Sequence, residues 1–527
     1  TRHRQLNSRC CIHWAVPTFR LISPFPLSMT LSHFSRSQCI PALVLGLVLL
    51  ISGCQSGDSE PAYTSSHPAA IAIDGAFGDW DTVPLLARDS VGDGASLDLT
   101  SLTLAHDDEY LFVTFGLDAP TILQENNDLT LALDLDGDAS TGNAAGFEIT
   151  WTFGERSGTF YGENNEQLGH ANLGFTSLPT VASERYELAF DRSAAPGGQE
   201  WLATGNTVCA AMIGGGDRVP DAGRTCYSLE AASPNPHDEP VDLARAPETR
   251  VRLMTHNVLR DTIFTDPVRE AYQQIYQAVA PDVYALQEVY EHGAEETRRR
   301  VAELAGTSAG DWHASKLGLD LVVVSRFPIT AVHTIPGFED YESGAFLLDT
   351  RDALGHAIML VNMHPPCCSG GDPDADMKRQ QVADAVAAFI RDTRSDGGPL
   401  DVSAETPIVV LGDMNLVGDA QQPRTMVTGA IQSTSVFGAS VPTTQTDASL
   451  VDLNPSQTGS PFHTTWENPE SSFPPGRLDY AYLSSDAAPA LNAYVLNTRH
   501  LPDSVRAATN LKPGDTATAS DHLPIVV

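Results

Sequence analysis

Residues 407–415, read as PIVVLGDMN, end in two side chains that suit metal-assisted chemistry. The apolar run before Gly412 predicts a buried strand. Asp413 and Asn415 follow it two positions apart, and residues two apart on an extended chain point to the same face. A carboxylate and an amide at the end of a buried strand fit a hard cation and the phosphate that it binds. The alternative is a strand followed by an ordinary turn rich in Asp and Asn.

Other predicted apolar strands also end or begin at polar side chains. They cover residues 252–256, 283–287, 357–363, 480–483 and 523–527. The polar residues beside them are Asn257, Glu288, His364, Asp479, Asp521 and His522. Carboxylates hold Mg²⁺, an imidazole beside a carboxylate takes a proton from water near neutral pH, and amide or imidazole donors offset charge on phosphoryl oxygens. The set is therefore sufficient for a divalent-metal hydrolase, although each residue alone fits a surface role, such as an ion pair of Asp479 with Arg477.

Helices must connect these strands. Apolar periodicity predicts helices over residues 266–279, 294–305 and 377–393. Strands that alternate with helices indicate an α/β domain, which we place at residues 250–527. Asp521 and His522 are adjacent, so both enter one site only if they lie on the turn before the last strand.

The ordered segments THNVL, ALQEV, VVVSRFPI, VNMHPP, VVLGDMN, GRLDYAYLS and SDHLPIVV resemble the endonuclease/exonuclease/phosphatase superfamily, which is deoxyribonuclease I-like. The resemblance implies a four-layer sandwich of two packed β-sheets flanked by helices, with the site at one edge. It implies Mg²⁺ or Mn²⁺ as cofactor and in-line attack by water. The implied metal ligands are Glu288, Asn257 and Asp521. Asp413 and Asn415 would orient the water and bind phosphate. His522, held by Asp479, would be the general base, and His364 would donate to the phosphate or leaving group.

Two features depart from the abasic-site endonucleases of that family. Those enzymes usually carry Tyr at the position of His364, so the histidine favours the nuclease I, sphingomyelinase and phosphatase branches. In some of these a carboxylate supports the histidine, and Asp320 is a candidate. Residues 365–371 are not a usual family feature, which leaves the shape of the substrate pocket open.

Residues 69–230 show short alternating runs separated by Asp, Gly and Asn, which predicts an all-β sandwich. The segments IDG, GDW and LDLDGD resemble sugar-binding sandwiches of the family 9 carbohydrate-binding type and their DOMON-like relatives. The resemblance implies a polysaccharide ligand and Ca²⁺ at Asp134, Asp136 and Asp138, whose oxygen ligands suit calcium. The alternative is an acidic turn that binds nothing. The chain is thus expected to be multidomain, with linkers at 54–68 and 231–249.

The apolar run at 40–51 is too short to span a bilayer and predicts a secretory signal over residues 29–53. The sequence ISGC resembles a bacterial lipobox, which implies lipidation of Cys54 and a tether to the cell envelope, with the outer membrane favoured. The alternative is a plain signal peptide and a secreted protein. The first methionine is Met29, so we expect residues 1–28 to be upstream sequence outside the fold.

Cysteine usage agrees with an extracytoplasmic compartment. Cys209 and Cys226 bracket a glycine-rich loop and are candidates for a disulfide. Cys367 and Cys368 are adjacent, and the sequence leaves open a vicinal disulfide or a soft metal site.

The chain has 67 acidic and 31 basic residues, a formal charge of −36. So acidic a surface repels polyanions and membranes and is typical of solubility in saline surroundings. The leading hypothesis is a secreted or tethered metal-dependent phosphoester hydrolase acting on nucleic acid, a phospholipid headgroup or an inositol phosphate. The alternatives are a sphingomyelinase-like phospholipase C, for which residues 473–475 would be the membrane-contact loop, and a non-catalytic glycan-binding lipoprotein. The sequence does not define an oligomeric state.

Overall fold

The computed structural model describes residues 63–64, 66–198, 201–232, 241–367, 373–395, 397–400, 402–403, 406–440, 450–484 and 490–527. Residues 59–527 form one packed unit, and the contacts given below lie within it. The expected signal peptide, Cys54 and Cys368 lie outside the described residues. Within the described ranges, no helix is both long and apolar enough to cross a membrane.

Short strands build the N-terminal half, as its alternating sequence predicts. In chain order its elements are β1 (Tyr63–Thr64), β2 (Ala87–Arg88), β3 (Leu99–His106), β4 (Tyr110–Thr121), β5 (Thr130–Asp134), β6 (Ile149–Thr152), β7 (Ser157–Phe160), β8 (Glu166–Leu168), α1 (His170–Leu173), β9 (Thr176–Leu178), β10 (Ser183–Asp191), β11 (Thr207–Gly214), β12 (Asp217–Val219) and β13 (Thr225–Ser228). Short 3₁₀ turns lie at Asp79–Thr82 and Pro196–Gly198.

These strands form two sheets that face each other. One has the order β2-β3-β4-β10-β9, and the other has the order β1-β13-β11-β5-β6-β7-β8 with β12 beside β11. In β6, Ile149 and Trp151 are buried while Thr150 and Thr152 are half-buried, which is the period of two expected for a strand with one covered face. Trp151 packs on Phe175 in the core between the sheets. The prediction of a β-sandwich is confirmed.

The C-terminal half alternates strands and helices. Its elements are β14 (Leu253–Asn257), α2 (Arg269–Val279), β15 (Val283–Gln287), α3 (Ala294–Leu304), β16 (His313–Leu317), β17 (Leu321–Ser325), β18 (Ile329–Phe338), β19 (Tyr341–Leu348), α4 (Arg351–Leu354), β20 (Ile358–Met363), α5 (Pro373–Thr393), β21 (Ile408–Asp413), α6 (Gln421–Thr428), α7 (Thr434–Phe437), β22 (Leu450–Asp452), β23 (Asp479–Ser484), β24 (Tyr494–Val495), α8 (Asp503–Thr509), α9 (Asp515–Ala519) and β25 (Ile525–Val526). Two more 3₁₀ turns lie at Thr262–Phe264 and Ala309–Asp311.

Two six-stranded sheets stack face to face in this half. Their orders are β16-β17-β15-β14-β25-β24 and β18-β19-β20-β21-β23-β22. The central strands β15 and β21 are buried at every position and show no alternation, because both faces of each sheet are covered. Helices α2 and α3 cover the first sheet, and α5 and α6 cover the second. The predicted four-layer α/β sandwich is therefore confirmed.

Helix boundaries differ from the prediction by a few residues. The prediction begins α2 at residue 266, but residues 266–268 form a turn and the helix begins at Arg269. Helix α5 begins at Pro373, four residues before the predicted start. A proline fits the first helical position because its missing N–H has no partner there in any case. The predicted limits of the domains and linkers stay a prediction.

Candidate active site

Each of the two stacked sheets contributes one parallel pair of strands to the site. In the first sheet β14 and β15 run parallel and end at Asn257 and Gln287. In the second sheet β20 and β21 run parallel, and Asp413 at the end of β21 lies opposite Asp479 of the antiparallel strand β23. Glu288 directly follows β15, and His364 directly follows β20. Both residues therefore lie at the edge of the sandwich where the parallel pairs end.

Asp413 is the residue at which the two stacked sheets of the C-terminal half meet. Its Oδ2 accepts a hydrogen bond from Asn257 Nδ2 at 3.0 Å. The same oxygen lies 3.4 Å from His364 Nε2 and 3.7 Å from His522 Nε2. Asp413 is only 2% exposed, so these contacts are shielded from water. The predicted residues of the two sheets are therefore brought together around one carboxylate.

Each of the two histidines has its own aspartate on the ring nitrogen that faces away from Asp413. His522 Nδ1 lies 2.8 Å from Asp479 Oδ2, and His364 Nδ1 lies 2.5 Å from Asp320 Oδ2. A carboxylate on Nδ1 fixes the orientation of the ring and leaves Nε2 directed into the site. The arrangement therefore presents two oriented Nε2 atoms to a single ligand.

Charge is concentrated in this buried group. Burial by itself lowers the pKa of His522, but the Asp479 and Asp413 carboxylates raise it to about 10. Against the same effect of burial, Asp320 and Asp413 raise the pKa of His364. Burial raises the pKa of Asp413, yet the charge of His522 and the hydrogen bond from His364 bring it below its usual value. Without a cation in the site, the surrounding carboxylates therefore favour the protonated form of both imidazoles and the ionised form of Asp413.

Asn257 links this group to Glu288. Its Nδ2 donates to Glu288 Oε1 at 3.2 Å as well as to Asp413, and its Oδ1 accepts from the Leu259 N–H at 3.0 Å. Glu288 Oε2 accepts from the Arg260 N–H at 2.8 Å. The amide thus bridges the two carboxylates and holds each in place.

Glu288 and Asp521 offer carboxylate oxygens that could hold a divalent cation. Asp521 Oδ2 accepts from Trp466 Nε1 at 3.1 Å, while its Oδ1 is buried and takes no hydrogen bond from any described residue. Burial raises the pKa of the Tyr272 phenol, and the nearby charges of Asp521 and Glu288 raise it further. Mg²⁺ takes one or two protein carboxylates and keeps several waters. Glu288 and Asp521 are therefore suitable residues to hold it.

Two site residues have a backbone that side-chain-bearing residues seldom adopt. Glu288 has φ 62° and Asn415 has φ 50°. Such left-handed conformations are strained for residues other than glycine and are over-represented at functional sites. At Glu288 the strain is offset by the Asp320 carboxylate, whose Oδ2 accepts the Glu288 N–H at 2.9 Å.

A turn, and not the strand, positions Asn415. Alternation along an extended chain predicts that Asp413 and Asn415 share a face, but β21 ends at Asp413. The Asn415 N–H donates to Asp413 Oδ1 at 3.2 Å, which closes a turn of the Asx type. Asn415 Nδ2 then donates to the carbonyl of Pro365 at 3.2 Å, directly after His364. The sequence left open a metal and phosphate site or an ordinary turn rich in Asp and Asn. The turn is present, and it is the turn that brings Asn415 to the site.

Several supporting residues were not singled out from the sequence. Ser520 Oγ donates to the Asn257 carbonyl at 2.8 Å and accepts the His522 N–H at 3.1 Å. Thr465 Oγ1 accepts the Asp479 N–H at 2.8 Å. Ser520 is the first residue of the SDHLPIVV segment and could have been found, whereas Thr465 lies in a segment without periodicity or motif.

A buried amide pair joins the two sheets behind the site. Gln287 Nε2 donates to Asn362 Oδ1 at 2.6 Å, and both residues are fully buried. Asn362 Nδ2 donates in turn to the Leu286 carbonyl at 3.1 Å. Since β15 and β20 belong to different sheets, this pair fixes one sheet against the other close to the catalytic residues.

In the N-terminal sandwich, the predicted calcium residues are only partly gathered. Ligand atoms of Asp134, Asp136 and Glu148 lie within 4.8 Å of one another. Arg224 Nη1 lies 2.6 Å from Asp134 Oδ2, and the Asp138 carboxylate accepts from Ser140. Asp138 is not among the three residues whose ligand atoms are gathered.

The predicted cysteine pair of the sandwich lies on neighbouring strands. Cys209 of β11 is opposite Cys226 of β13, and the two are joined by a disulfide. The bond links strands of one sheet and lies in its buried part, since both cysteines are fully buried.

Comparison with known proteins gives one family. Residues 254–522, just over half of the chain, match the model of the Endonuclease/Exonuclease/phosphatase family. This match supports a hydrolase that acts on phosphoester bonds. No curated protein matches the chain.

The solved structures to which the chain is similar share little sequence with it. Sphingomyelinase C from Streptomyces griseocarneus is 13% identical, with 52% of this chain and 98% of that chain covered and a TM-score of 0.31. The human Nocturnin catalytic domain is 15% identical, with 52% and 92% covered and a TM-score of 0.31. A family protein from Leptotrichia buccalis is 13% identical, with 53% and 98% covered and a TM-score of 0.35. On the family model, which spans most of the C-terminal half and all of the strand ends described above, this chain belongs to the Endonuclease/Exonuclease/phosphatase family.

Proposed function

We propose that this protein is an extracytoplasmic, Mg²⁺-dependent phosphodiesterase or phosphatase in which His522 and Asp479 activate water. The observation that carries the proposal is the convergence on Asp413 Oδ2 of Asn257 at 3.0 Å, His364 at 3.4 Å and His522 at 3.7 Å. A single buried carboxylate that faces two oriented imidazoles and an amide is suited to orient a water molecule beside a phosphate.

The roles follow from position and charge. His522 Nε2 takes the proton of the attacking water, and Asp479 on Nδ1 stabilises the imidazolium that results. His364, supported by Asp320, donates to a phosphoryl oxygen or to the leaving group. Asp413 and Asn415 orient the water. A divalent cation held by Glu288 and Asp521 would polarise the phosphate and, as a neighbouring positive charge, lower the pKa of the imidazoles.

Hydrolysis of bis-p-nitrophenyl phosphate by the full chain tests the proposal. The full chain is needed because the N-terminal sandwich contacts loops that carry site residues: Thr180 Oγ1 donates to the carbonyls of Leu416 and Arg477. We expect turnover with Mg²⁺, loss of turnover in EDTA, and a fall of roughly 10²–10⁴-fold in kcat for His522→Ala. The matched control is His313→Ala, which removes an exposed histidine of β16 and should keep the wild-type rate.

Two results would contradict the proposal. Full turnover in EDTA would exclude a required cation, and a wild-type rate for His522→Ala would exclude its role as base. Binding to polysaccharide with no turnover of any phosphoester would favour the non-catalytic glycan-binding alternative.

One loop bears on the choice between a sphingomyelinase and other phosphoester hydrolases. A sphingomyelinase-like role requires an exposed apolar loop, and residues 473–475 were the candidate. The guanidinium of Arg156 instead lies 4.2 Å from the centre of the Phe473 ring, and Pro474 is buried. This loop therefore does not favour the sphingomyelinase alternative, and a panel of plasmid DNA, sphingomyelin vesicles and inositol phosphates would distinguish the substrates directly.

We also propose that the protein acts outside the cytoplasm, tethered through Cys54 or secreted. The Cys209–Cys226 disulfide supports an oxidising compartment. Metabolic labelling with a radioactive fatty acid tests the tether: wild type should incorporate label and Cys54→Ala should not. Equal labelling of both would contradict lipidation at this cysteine.

A further inference from the structure

Five aspartates gather at one end of the N-terminal sandwich, away from the acidic turn identified in the sequence. Asp89 follows β2 and Asp98 precedes β3 in one sheet, while Asp217 begins β12 in the other sheet. Asp93 lies in the loop between β2 and β3, and Asp221 follows β12. The group, called here the inter-sheet cluster, therefore spans both sheets.

Two members of the inter-sheet cluster hold the backbone in place. Asp98 accepts the N–H groups of Gly92 at 2.7 Å and Gly94 at 2.7 Å, which folds the loop around its side chain. Asp217 Oδ2 accepts the Leu99 N–H at 2.7 Å, which joins the two sheets. These backbone donors lower the pKa of Asp98, so this carboxylate is ionised. Both residues thus hold the backbone around the cluster in place.

The other three members face each other. Ligand oxygens of Asp89, Asp93 and Asp221 all lie within 4.8 Å of one another. Asp89 is only 8% exposed, and its Oδ2 is buried and takes no hydrogen bond from any described residue. Burial and the adjacent Asp221 carboxyl raise the pKa of Asp89. A buried carboxylate oxygen without a donor, close to two further carboxylates, is unfavourable unless a proton or a cation lies between them.

No basic side chain supplies that positive charge. Among the described residues, none of the five aspartates forms an ion pair with Lys, Arg or His. The nearest arginines of β12 and its following loop are engaged elsewhere: Arg218 with the Gly223 carbonyl, and Arg224 with Asp134. The charge of the inter-sheet cluster is therefore not balanced within the described part of the chain.

We propose that Asp89, Asp93 and Asp221 bind a calcium ion that ties the loop between β2 and β3 to the end of β12. Calcium takes carboxylate oxygens at about 2.3–2.6 Å, so two ligands of one ion lie at most about 5 Å apart, which fits the observed spacing. Asp93 and Asp221 are exposed, which leaves room for the water molecules that complete six to eight ligands. Mg²⁺ demands a tighter octahedron and is the less suitable ion. The proposal does not depend on the hydrolase function.

Calcium titration of the full chain tests this site. After removal of metal with EDTA and desalting, calorimetric titration with CaCl₂ should show one equivalent fewer bound by Asp89→Asn/Asp221→Asn than by wild type. Saturating calcium should raise the Tm of wild type by roughly 5 °C and that of the double variant by clearly less. The matched control is Asp108→Asn, an exposed aspartate in the turn after β3, which should bind and melt as wild type does.

Behaviour without calcium separates a metal site from a merely structural acidic group. In EDTA the double variant should melt at or above the Tm of wild type, because two carboxylates that repel each other have been neutralised. An equal calcium stoichiometry in both proteins would overturn the proposal. So would a double variant that is destabilised equally in EDTA and in calcium. Hydrolysis of bis-p-nitrophenyl phosphate in Mg²⁺ should be the same for both proteins, so failure here and failure of the hydrolase proposal are distinguishable.

Discussion

Asp320 serves two parts of the active site with one oxygen atom. Its Oδ2 lies 2.5 Å from His364 Nδ1 and accepts the Glu288 N–H at 2.9 Å. It therefore positions both a histidine directed at the phosphate site and the residue proposed to hold the cation, without itself facing the substrate.

Asp320→Asn should reduce kcat by roughly 10–100-fold, the usual loss when a residue that orients a ligand is replaced. An amide oxygen in the place of Oδ2 can still accept both N–H groups, but it lacks the charge that stabilises the protonated His364 imidazole. The pH profile should also change, because the Asp320 charge raises the pKa of His364. Steady-state kinetics across the neutral pH range measure both effects, with the exposed Asp311→Asn as control. An unchanged pH profile would indicate that Asp320 is only structural.

Glu187 provides a second residue-scale prediction, in the N-terminal sandwich. It is fully buried, and its Oε1 accepts the N–H groups of Asp74 and Gly75, each at 2.6 Å. Trp80 Nε1 donates to its Oε2 at 3.0 Å, so the IDG and GDW segments close around this carboxyl. Burial raises the pKa of Glu187 to about 8.

Stability should therefore fall as the pH rises towards the folded-state pKa of Glu187, about 8. Between about pH 5 and that value the folded state keeps a proton that the unfolded state has lost, so the free energy of unfolding decreases by roughly 1.4 kcal/mol per pH unit from this group. Glu187→Gln removes that dependence although it weakens the contact with Trp80. Urea unfolding of both proteins at several pH values measures the difference in slope. Parallel curves would show that Glu187 is ionised when folded.

At the scale of elements, the disulfide between β11 and β13 closes a loop with a sequence separation of 17 residues. Replacing both cysteines, Cys209→Ser/Cys226→Ser, should lower the free energy of unfolding by about 3 kcal/mol, because the unfolded chain regains the freedom that the cross-link removed. Urea unfolding measures this loss, and Cys367→Ser, at an exposed position, is the control. The same stability with and without dithiothreitol in wild type would contradict the prediction.

The strand ends were predictable because each apolar run stops where a polar residue begins, and alternating strands and helices imply parallel pairs whose ends coincide. Asn257 and Asp413 could thus be assigned to one site from sequence. The pairing of His364 with Asp320 joins residues 44 positions apart, so no local pattern reveals it, and only the family resemblance suggested Asp320 as a candidate. The inter-sheet cluster escaped prediction for the same reason, since its members run from Asp89 to Asp221. Asn415 follows β21, but the turn that orients its side chain has no repeating sequence pattern from which its geometry could be predicted.

At the scale of the whole molecule, the two sandwiches are connected close to the catalytic residues. Thr180 Oγ1 donates to the Leu416 carbonyl at 2.9 Å and the Arg477 carbonyl at 3.2 Å. The Ala182 N–H donates to the Gly418 carbonyl at 2.8 Å. The N-terminal half therefore supports the loops that carry Asn415 and Asp479.

Thr180→Val keeps the volume of the side chain but leaves both carbonyls without this donor. We expect kcat to fall roughly tenfold, since small displacements of positioned groups slow catalysis strongly, while KM changes little. Thr152→Val is the matched control because its hydroxyl pairs with Thr130 within the N-terminal sandwich. Rates equal to wild type would show that the N-terminal half does not position the site.

The amide bridge from Asn257 to Asp413 has a mechanical consequence. The two residues belong to sheets that stack through side chains, and a sliding of about 1 Å between the layers takes a 3.0 Å contact out of hydrogen-bonding range. The catalytic rate therefore depends on how well the two sheets are aligned. Under hydrostatic pressure, enzymatic rate should fade while tryptophan fluorescence still reports an intact interior.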